Sequence, residues 1–363
     1  MNKVLFILHF PPPIHGSSIV GKQIKNSYHI NNRLNTKYIN LSTSSSIDEI
    51  GSLSILKIIR IIKIIIKVVY SNINTRFDIC YLAIAINGKA FYRDLIIVFL
   101  LKLFGNKIVL HLHNKGAASF NNVFRKLGYK YVFNSTKVIL LSNLLYDDIE
   151  KYVKKEQVYI CPNGIPDNHQ LRINKKSNNE IVNILFLSNL MIEKGVLILL
   201  EACAKLKERG QKFICHFVGG WKDLSQRKTE ELITQKGLEN LVFFHGPKYN
   251  EEKNKYFEAA DIFIHPTFED CFPLNLLEAI QNSLPVISTF EGGIPDIVIE
   301  GETGFLCTQK DVDCLVEKIE LLINNPELRI KMGEAGRKRF EENFTLEHFE
   351  RRFTDIIEKI VNE

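Results

Sequence analysis

At 363 residues, 45% hydrophobic and 24% charged, the chain has apolar material for two cores, and two soluble domains are expected. Its net charge of +6 conceals an asymmetry: residues 1–180 hold 25 Lys and Arg against 10 Asp and Glu, while residues 181–363 hold 22 against 31. A basic half suits nucleic acid, an anionic membrane surface or a phosphorylated substrate, and with no zinc finger and no aromatic RNP-like strand in the chain, nucleic acid drops out.

Residues 4–10 read as the first strand; the start carries one Lys and a short apolar run ending in three prolines, which is no signal peptide. Next comes LSILKIIRIIKIIIKVVY, residues 53–70, broken by Lys57, Arg60, Lys63 and Lys67 and so not a spanning helix. The spacing puts those cations on one stripe, which fits a crossover helix with one wet edge, the plainer reading, and also a basic amphipathic helix in a lipid interface. Further strands are expected at 79–84, 107–113, 137–141 and 157–161. The polar stretch 167–180, DNHQLRINKKSNNE, reads as a linker. Beyond it strands at 181–188, 213–218, 241–245, 262–265 and 285–288 alternate with helical patterns, so both halves read as α/β with parallel sheets. Two doubly wound domains would turn their strand C-termini, and with them their ligand loops, towards a central cleft. In the tail, Phe349, Phe353, Ile356 and Ile360 form one helix stripe that must pack on something.

The turns after the second-half strands carry the chemistry. In FLSNLMIEKG, residues 186–195, Lys194 stands just before a glycine at a strand-to-helix turn, where an ammonium can meet a phosphate at the helix N-terminus, although an exposed loop lysine is the simpler explanation. Gly219 and Gly246, the latter after His245, end the next two strands and permit close backbone approach. In TFEDCFPLNLLEA, residues 267–279, Pro273 suits the first position of a helix, so Asp270 lies on the loop before it and Glu278 about a turn and a half inside. Acids there either cap the helix and complement its dipole or mark a polar ligand site. Asp311 and Asp313 spell D-x-D, a metal-binding pattern in some enzymes, but their place before an apolar helix makes them a cap. His9, His15 and His111 have no metal-ligand spacing; His111 shares one strand face with His113 and reads as packed. The cysteines number seven, an odd count with no C-x-x-C pair, which fits a reducing compartment better than a disulfide framework and makes zinc unexpected.

Taken in order, FLSNLMIEKG, VFFHG, AADIFIHPTFEDCFPLNLLEAIQNSLPVIST, EGGIPDIVIEGETGFL and the C-terminal helix resemble the donor domain of a retaining glycosyltransferase of family 4, with the GT-B fold. HFPPPIHGSS and CPNGIPD match the N-terminal domain of that family more loosely. The resemblance implies an N-terminal acceptor-binding domain at 1–170, a donor-binding domain at 171–340 and a C-terminal helix at 341–363 returning to the first. It implies that Glu278 holds the ribose of a nucleotide diphosphate sugar and Asp270 the hydroxyls of its sugar, with Glu269 as a neighbour able to substitute. Amides just after Phe272, at the helix start that Cys271, Pro273 and Leu274 share, would receive the diphosphate, Lys194 the leaving β-phosphate, and the backbone of Gly219, His245 and Gly246 the nucleotide. Gly16 would approach the phosphate or the acceptor, and His113 the reacting sugar. Uridine is the base expected from the habits of the family. No metal or other cofactor is expected.

Two departures stand out. Asp270 is shorter than the usual Glu, and the phosphate-binding Arg of the family falls at Asn189, whose amide carries no charge. Lys115 or Arg93 would have to supply it. The expected activity is a metal-independent hexosyl transfer to a glycan or a polyprenyl diphosphate-linked sugar in cell-surface polysaccharide synthesis, in the cytoplasm or at the inner face of its membrane. A catalytically weak nucleotide-sugar-binding scaffold is the alternative. A nicotinamide oxidoreductase is not supported, since HGSS after the first strand is no G-x-G-x-x-G.

Overall fold

A computed structural model describes residues 1–44, 54–119, 122–168 and 180–363. Most of the expected linker, and Leu53 at the head of the basic segment, lie outside these. The chain divides into two compact units, Met1–Asn163 with Glu347–Glu363, and Gly164–Leu346.

The first unit runs β1 (Lys3–Leu8), α1 (Gly16–Asn26), α2 (Tyr28–Arg33), β2 (Asn35–Asn40), α3 (Ile55–Asn74), β3 (Ile79–Ile84), α4 (Ala90–Leu103), β4 (Ile108–Leu112), α5 (Val123–Phe133), β5 (Lys137–Leu140) and β6 (Val158–Ile160). The second runs β7 (Val182–Leu187), α6 (Val196–Glu208), β8 (Phe213–Val218), α7 (Gln226–Lys236), β9 (Val242–Phe244), α8 (Asn250–Ala259), β10 (Ile262–Ile264), α9 (Leu274–Gln281), β11 (Val286–Thr289), α10 (Ile294–Ile297), β12 (Gly304–Cys307), α11 (Val312–Asn324) and α12 (Pro326–Asn343). A last helix, α13 (Leu346–Asn362), joins the first unit.

Each unit is one six-stranded parallel sheet, ordered β2-β1-β3-β4-β5-β6 and β12-β11-β10-β7-β8-β9. The central strands are buried on both faces, β3 at all six positions, which is why they read as unbroken apolar runs. The order reverses between β1 and β3 in one unit and between β7 and β10 in the other. Loops diverge there and leave a crevice beyond the strand C-termini.

Two edge strands escape sequence reasoning. Of β2 only Ile39 is buried, and β12 begins with Gly304, where a Cβ would lie 2.0 Å from the Val286 carbonyl oxygen. An edge strand needs little apolar sequence, and here one needs a glycine. β1 stops at Leu8, because His9 and Phe10 already belong to the loop.

The tail helix buries Phe349, Phe353, Ile357 and Ile360, with Ile357 in the place expected for Ile356. Its Phe353 ring sits 6.0 Å from that of Phe6 and 5.4 Å from Tyr81, and Arg33 of α2 reaches Asp355 at 3.1 Å. The stripe thus packs on the β1-β3-β4 face. α3 is the crossover from β2 to β3, but only half of the expected cationic stripe is wet, Lys63 and Lys67 being exposed. Lys57 is buried, as are Ile64 and Val68 further along the helix, Arg60 donates to the Thr43 carbonyl at 2.7 Å, and the residues left outside are mostly isoleucine.

Cysteine counting also misses a contact. Cys307, at the end of β12, is disulfide-bonded to Cys314 in the first turn of α11. The two cysteines are seven positions apart, and the four residues between strand end and helix start return the chain on itself, which no spacing rule signals. Asp311 caps α11 by accepting from the Cys314 amide at 2.9 Å, and Asp313 pairs with Lys205 at 2.6 Å, so the D-x-D is a helix cap.

Candidate active site

At the β7/β10 reversal, two loops meet. The one after β7 closes with a short 3₁₀ turn, Ile192–Lys194, and then Gly195. Gly195 has φ +81°, and a Cβ on it would lie 2.1 Å from the Pro266 carbonyl oxygen, so only glycine fits. That contact presses the turn onto the loop after β10 and aims Lys194 along it. Its ammonium donates to the Glu269 carbonyl at 2.6 Å and to Asp270 Oδ2 at 2.9 Å.

The Lys194 and Asp270 side chains are 18% and 19% exposed. Burial alone would push the Asp270 carboxyl up, but the Lys194 charge and His265 hold it well below the usual carboxylate range. Burial likewise opposes the Lys194 ammonium, and Asp270 more than restores it. Both groups are therefore charged at neutral pH. The Glu269 side chain points to solvent while its carbonyl is engaged, so Asp270 is the acid that faces the site.

Asp270 is framed on its other side by residues that sequence reasoning did not single out. Buried His265 places Nε2 3.4 Å from Asp270 Oδ2, with Nδ1 3.4 Å from the Asn275 amide. Buried Glu291 accepts the Asp270 backbone N–H at 3.0 Å and is itself held by the Gln309 amide at 2.5 Å. Gly292, at φ +52°, comes so close that a Cβ would stand 2.2 Å from the Asp270 carbonyl oxygen, and the Gly293 amide donates to the Cys271 carbonyl at 2.7 Å. The signal was present, since HPTFED and EGGIP flank the acid, but only the fold shows that the second loop braces the first.

α9 follows directly. Pro273 is its N-cap and Leu274 its first residue, one position later than expected for the proline. Cys271, Phe272 and Pro273 are buried, with the Phe272 ring 5.9 Å from Phe344, so the entry to the helix is held by packing. The first amides of α9 have no preceding turn to bond to and carry the positive end of its dipole. Glu278, half-buried in the second turn, is ion-paired with Lys253 of α8. The two acids bracket the helix start, each with a lysine.

The remaining positions vary. Asn189 lies in the loop after β7, its carbonyl accepting from the Met191 amide at 2.8 Å. Gly219 has an internal reason to be glycine: a Cβ there would lie 1.7 Å from the Ser188 carbonyl oxygen. Gly246, at φ +67°, has open space where a Cβ would stand, and its carbonyl accepts from the Gly219 amide at 3.0 Å. His245 pairs with His216 at 2.9 Å, and its ring lies 4.9 Å from that of Tyr256 at a tilt of 50°.

In the first unit, the β1/β3 reversal holds a cavity of about 400 Å³ walled by His9, His15, Ser17, Asn87, Arg93 and Asn114 among others. His15 caps α1, and Gly16 opens that helix with open space where a side chain would stand. His113 lines a smaller adjoining hollow with His9, Ser17 and Asn114. Arg93 is no spare cation: it is buried against Asp94 at 2.7 Å and donates to the Leu41 carbonyl at 2.9 Å, which corrects the expectation that it could replace the missing arginine. His111 is packed as expected, 2.6 Å from the Tyr81 hydroxyl.

These imidazoles carry a pH signature. Burial, then the charge of His15, lowers His113 to about 4; burial, then His113, holds His111 well below its ordinary 6.5, and burial with Arg93 does the same to His9. The unfolded chain takes up protons below about 6.5 that the folded one refuses until a lower pH. Stability is thus fully present above 6.5 and drains away as pH falls towards 4. Thermal unfolding followed across that interval should show a steadily falling Tm, and a flat profile would contradict this.

The glycosyl transferases group 1 family matches residues 167–339. Among curated proteins, the chain is 29% identical to an uncharacterized glycosyltransferase of Methanocaldococcus jannaschii, over 66% of this chain and 64% of that one. It is 26% identical to the capsular polysaccharide biosynthesis glycosyltransferase CapM of Staphylococcus aureus, over 59% of each. The chain thus spans less than two thirds of these relatives. Among solved structures, HepE of Anabaena with UDP-glucose aligns over 98% of this chain and 99% of its own at TM-score 0.74 and 20% identity. Sucrose-phosphate synthase of Thermosynechococcus elongatus aligns over 99% of both at TM-score 0.76 and 18% identity. The fold they share with this chain is GT-B, two Rossmann-like domains.

Proposed function

Since the glycosyl transferases group 1 family matches residues 167–339, we propose that the chain is a retaining, metal-independent hexosyltransferase that uses a nucleotide diphosphate sugar, with UDP as the nucleotide. The observation that carries this is the bracketed helix start: Lys194 on Asp270 before α9, and Glu278 a turn inside it. On this reading the diphosphate takes the first amides of α9 and the ammonium of Lys194, the ribose takes Glu278, and the sugar hydroxyls take Asp270. The backbone of His245 and Gly246 meets the base.

Breaking the sugar–phosphate bond builds negative charge on the diphosphate, which fixed donors stabilise without reorganisation. In a same-face mechanism the departing phosphate accepts the acceptor proton and no side-chain nucleophile is needed. Gly16 and His113 belong to the acceptor side, with the acceptor a glycan or a polyprenyl diphosphate-linked sugar. HepE, solved with UDP and glucose, and CapM, named for capsular polysaccharide biosynthesis, support the donor class and the polymer class. Asn189 in place of a cation favours one rival, a nucleotide-sugar-binding scaffold without turnover.

The test is a thermal-shift titration with UDP-, GDP- and ADP-sugars in EDTA. Saturable stabilisation by one nucleotide class is expected. Glu278→Ala should weaken that binding about 10- to 100-fold, the scale of hydrogen bonds to a charged group. No shift with any nucleotide sugar, or an unaffected mutant, would defeat the assignment; binding without transfer would leave the scaffold.

A further inference from the structure

The first unit leaves a row of helices with their apolar faces outward. α4 packs between α3 and α5. On α3, Ile55, Leu56, Ile59, Ile62, Ile66 and Tyr70 are exposed, Ile55 at 77%. α4 adds Tyr92, Ile96, Phe99 and Leu103, spaced as one helix stripe, and α5 adds Phe124, 80% exposed, with Leu127 and Tyr131. The stripes are tied together: Phe99 and Tyr131 rings lie 6.3 Å apart, and the Lys102 ammonium reaches the Tyr131 and Asn134 carbonyls. So broad an exposed apolar face marks an interaction surface.

Charge decides what it meets. The three helices carry nine Lys and Arg and a single acid, Asp94, which is buried against Arg93. Two copies meeting through this face would set like charge against like charge. An anionic lipid surface offers the complement: headgroup phosphates for Lys63, Lys67 and Lys130, and an acyl boundary for the isoleucine and phenylalanine rows. None of the described helices is long and apolar enough to cross a membrane, so any contact of this face with a bilayer would be along its surface.

We propose that the α3-α4-α5 face docks this unit on an anionic lipid bilayer. α3 serves twice, because Lys57, Ile58 and Ile61 also wall the cavity at the β1/β3 reversal. The surface therefore brings that cavity to the lipid. This deepens the function proposed above by making the acceptor membrane-borne, and rests on it for that consequence alone.

The full chain is sedimented with vesicles of mixed phosphatidylglycerol and phosphatidylcholine, and with phosphatidylcholine alone. It should co-sediment with the anionic vesicles and much less with the neutral ones. Lys63→Gln with Lys67→Gln should weaken binding roughly 30-fold, from the electrostatic worth of two surface cations. Ile59→Ser with Ile62→Ser and Ile66→Ser, all at exposed positions, should weaken it at least as much without affecting folding. A wild type that stays in the supernatant, or variants that bind as it does, would overturn the proposal. So would a solution dimer, seen by sedimentation equilibrium, that the serine variant dissociates. Thermal shift with UDP-sugar on the same preparations separates the two readings: donor binding without vesicle binding fails only the surface, and the reverse fails only the transferase.

Discussion

Lys194→Ala is expected to lower turnover about 10²–10³-fold, the cost of removing one fixed donor from a developing anion. The loss should fall on kcat more than on KM for the donor, because the amides of α9 and Glu278 still hold the ground state. The same change exposes a second quantity. Without the ammonium, Asp270 keeps only its own-loop Cys271 amide at 2.9 Å and His265, and its carboxylate is left in a site that opposes charge. With each side chain about a fifth exposed, the stability cost should sit below that of a fully buried pair, at about 1–3 kcal/mol. Lys194→Ala with Asp270→Asn should recover that stability and none of the activity. Turnover unchanged in the single variant would remove Lys194 from the chemistry; lost turnover that returns with stability would make its role structural.

Gly195→Ala should be the most damaging backbone change near the site. The residue must hold φ +81° and admit the Pro266 carbonyl where its Cβ would be, at 2.1 Å. Left-handed strain and overpacking together cost about 2–5 kcal/mol. Gly246→Ala provides the comparison, with a similar φ of +67° and open space around it, and should cost only about 1–2 kcal/mol. Urea unfolding of both variants measures the difference. Equal costs would show that the contact with Pro266 yields easily and does not position Lys194.

Much of this was legible in the linear chain. Strands such as β3 lie at their expected positions because a strand buried on both faces must be apolar throughout, and a helix on a sheet must repeat its apolar residues every three or four. Asp270, Glu278 and Lys194 could be singled out as candidates because each stands within a few residues of a helix start. β2 could not, since only one of its six residues is buried, nor could β12, whose four residues open on a glycine and are too short a run to stand out.

What the sequence by itself determined, then, is local: the alternation of strand and helix, the glycine turns, the acid before α9 and the acid within it. The tertiary structure alone decided which distant groups share a site. His265 and Glu291 stand on different loops from Lys194, yet all three converge on Asp270, because parallel strands β7, β10 and β11 are neighbours that bring their C-terminal ends together. It also decided the fate of the cations on α3. Their spacing was plain in the sequence, but whether Lys57 faces water depends on how the helix is rotated about its axis. Packing against the sheet sets that rotation, burying Lys57 with Ile64 and Val68 and leaving the isoleucines outside.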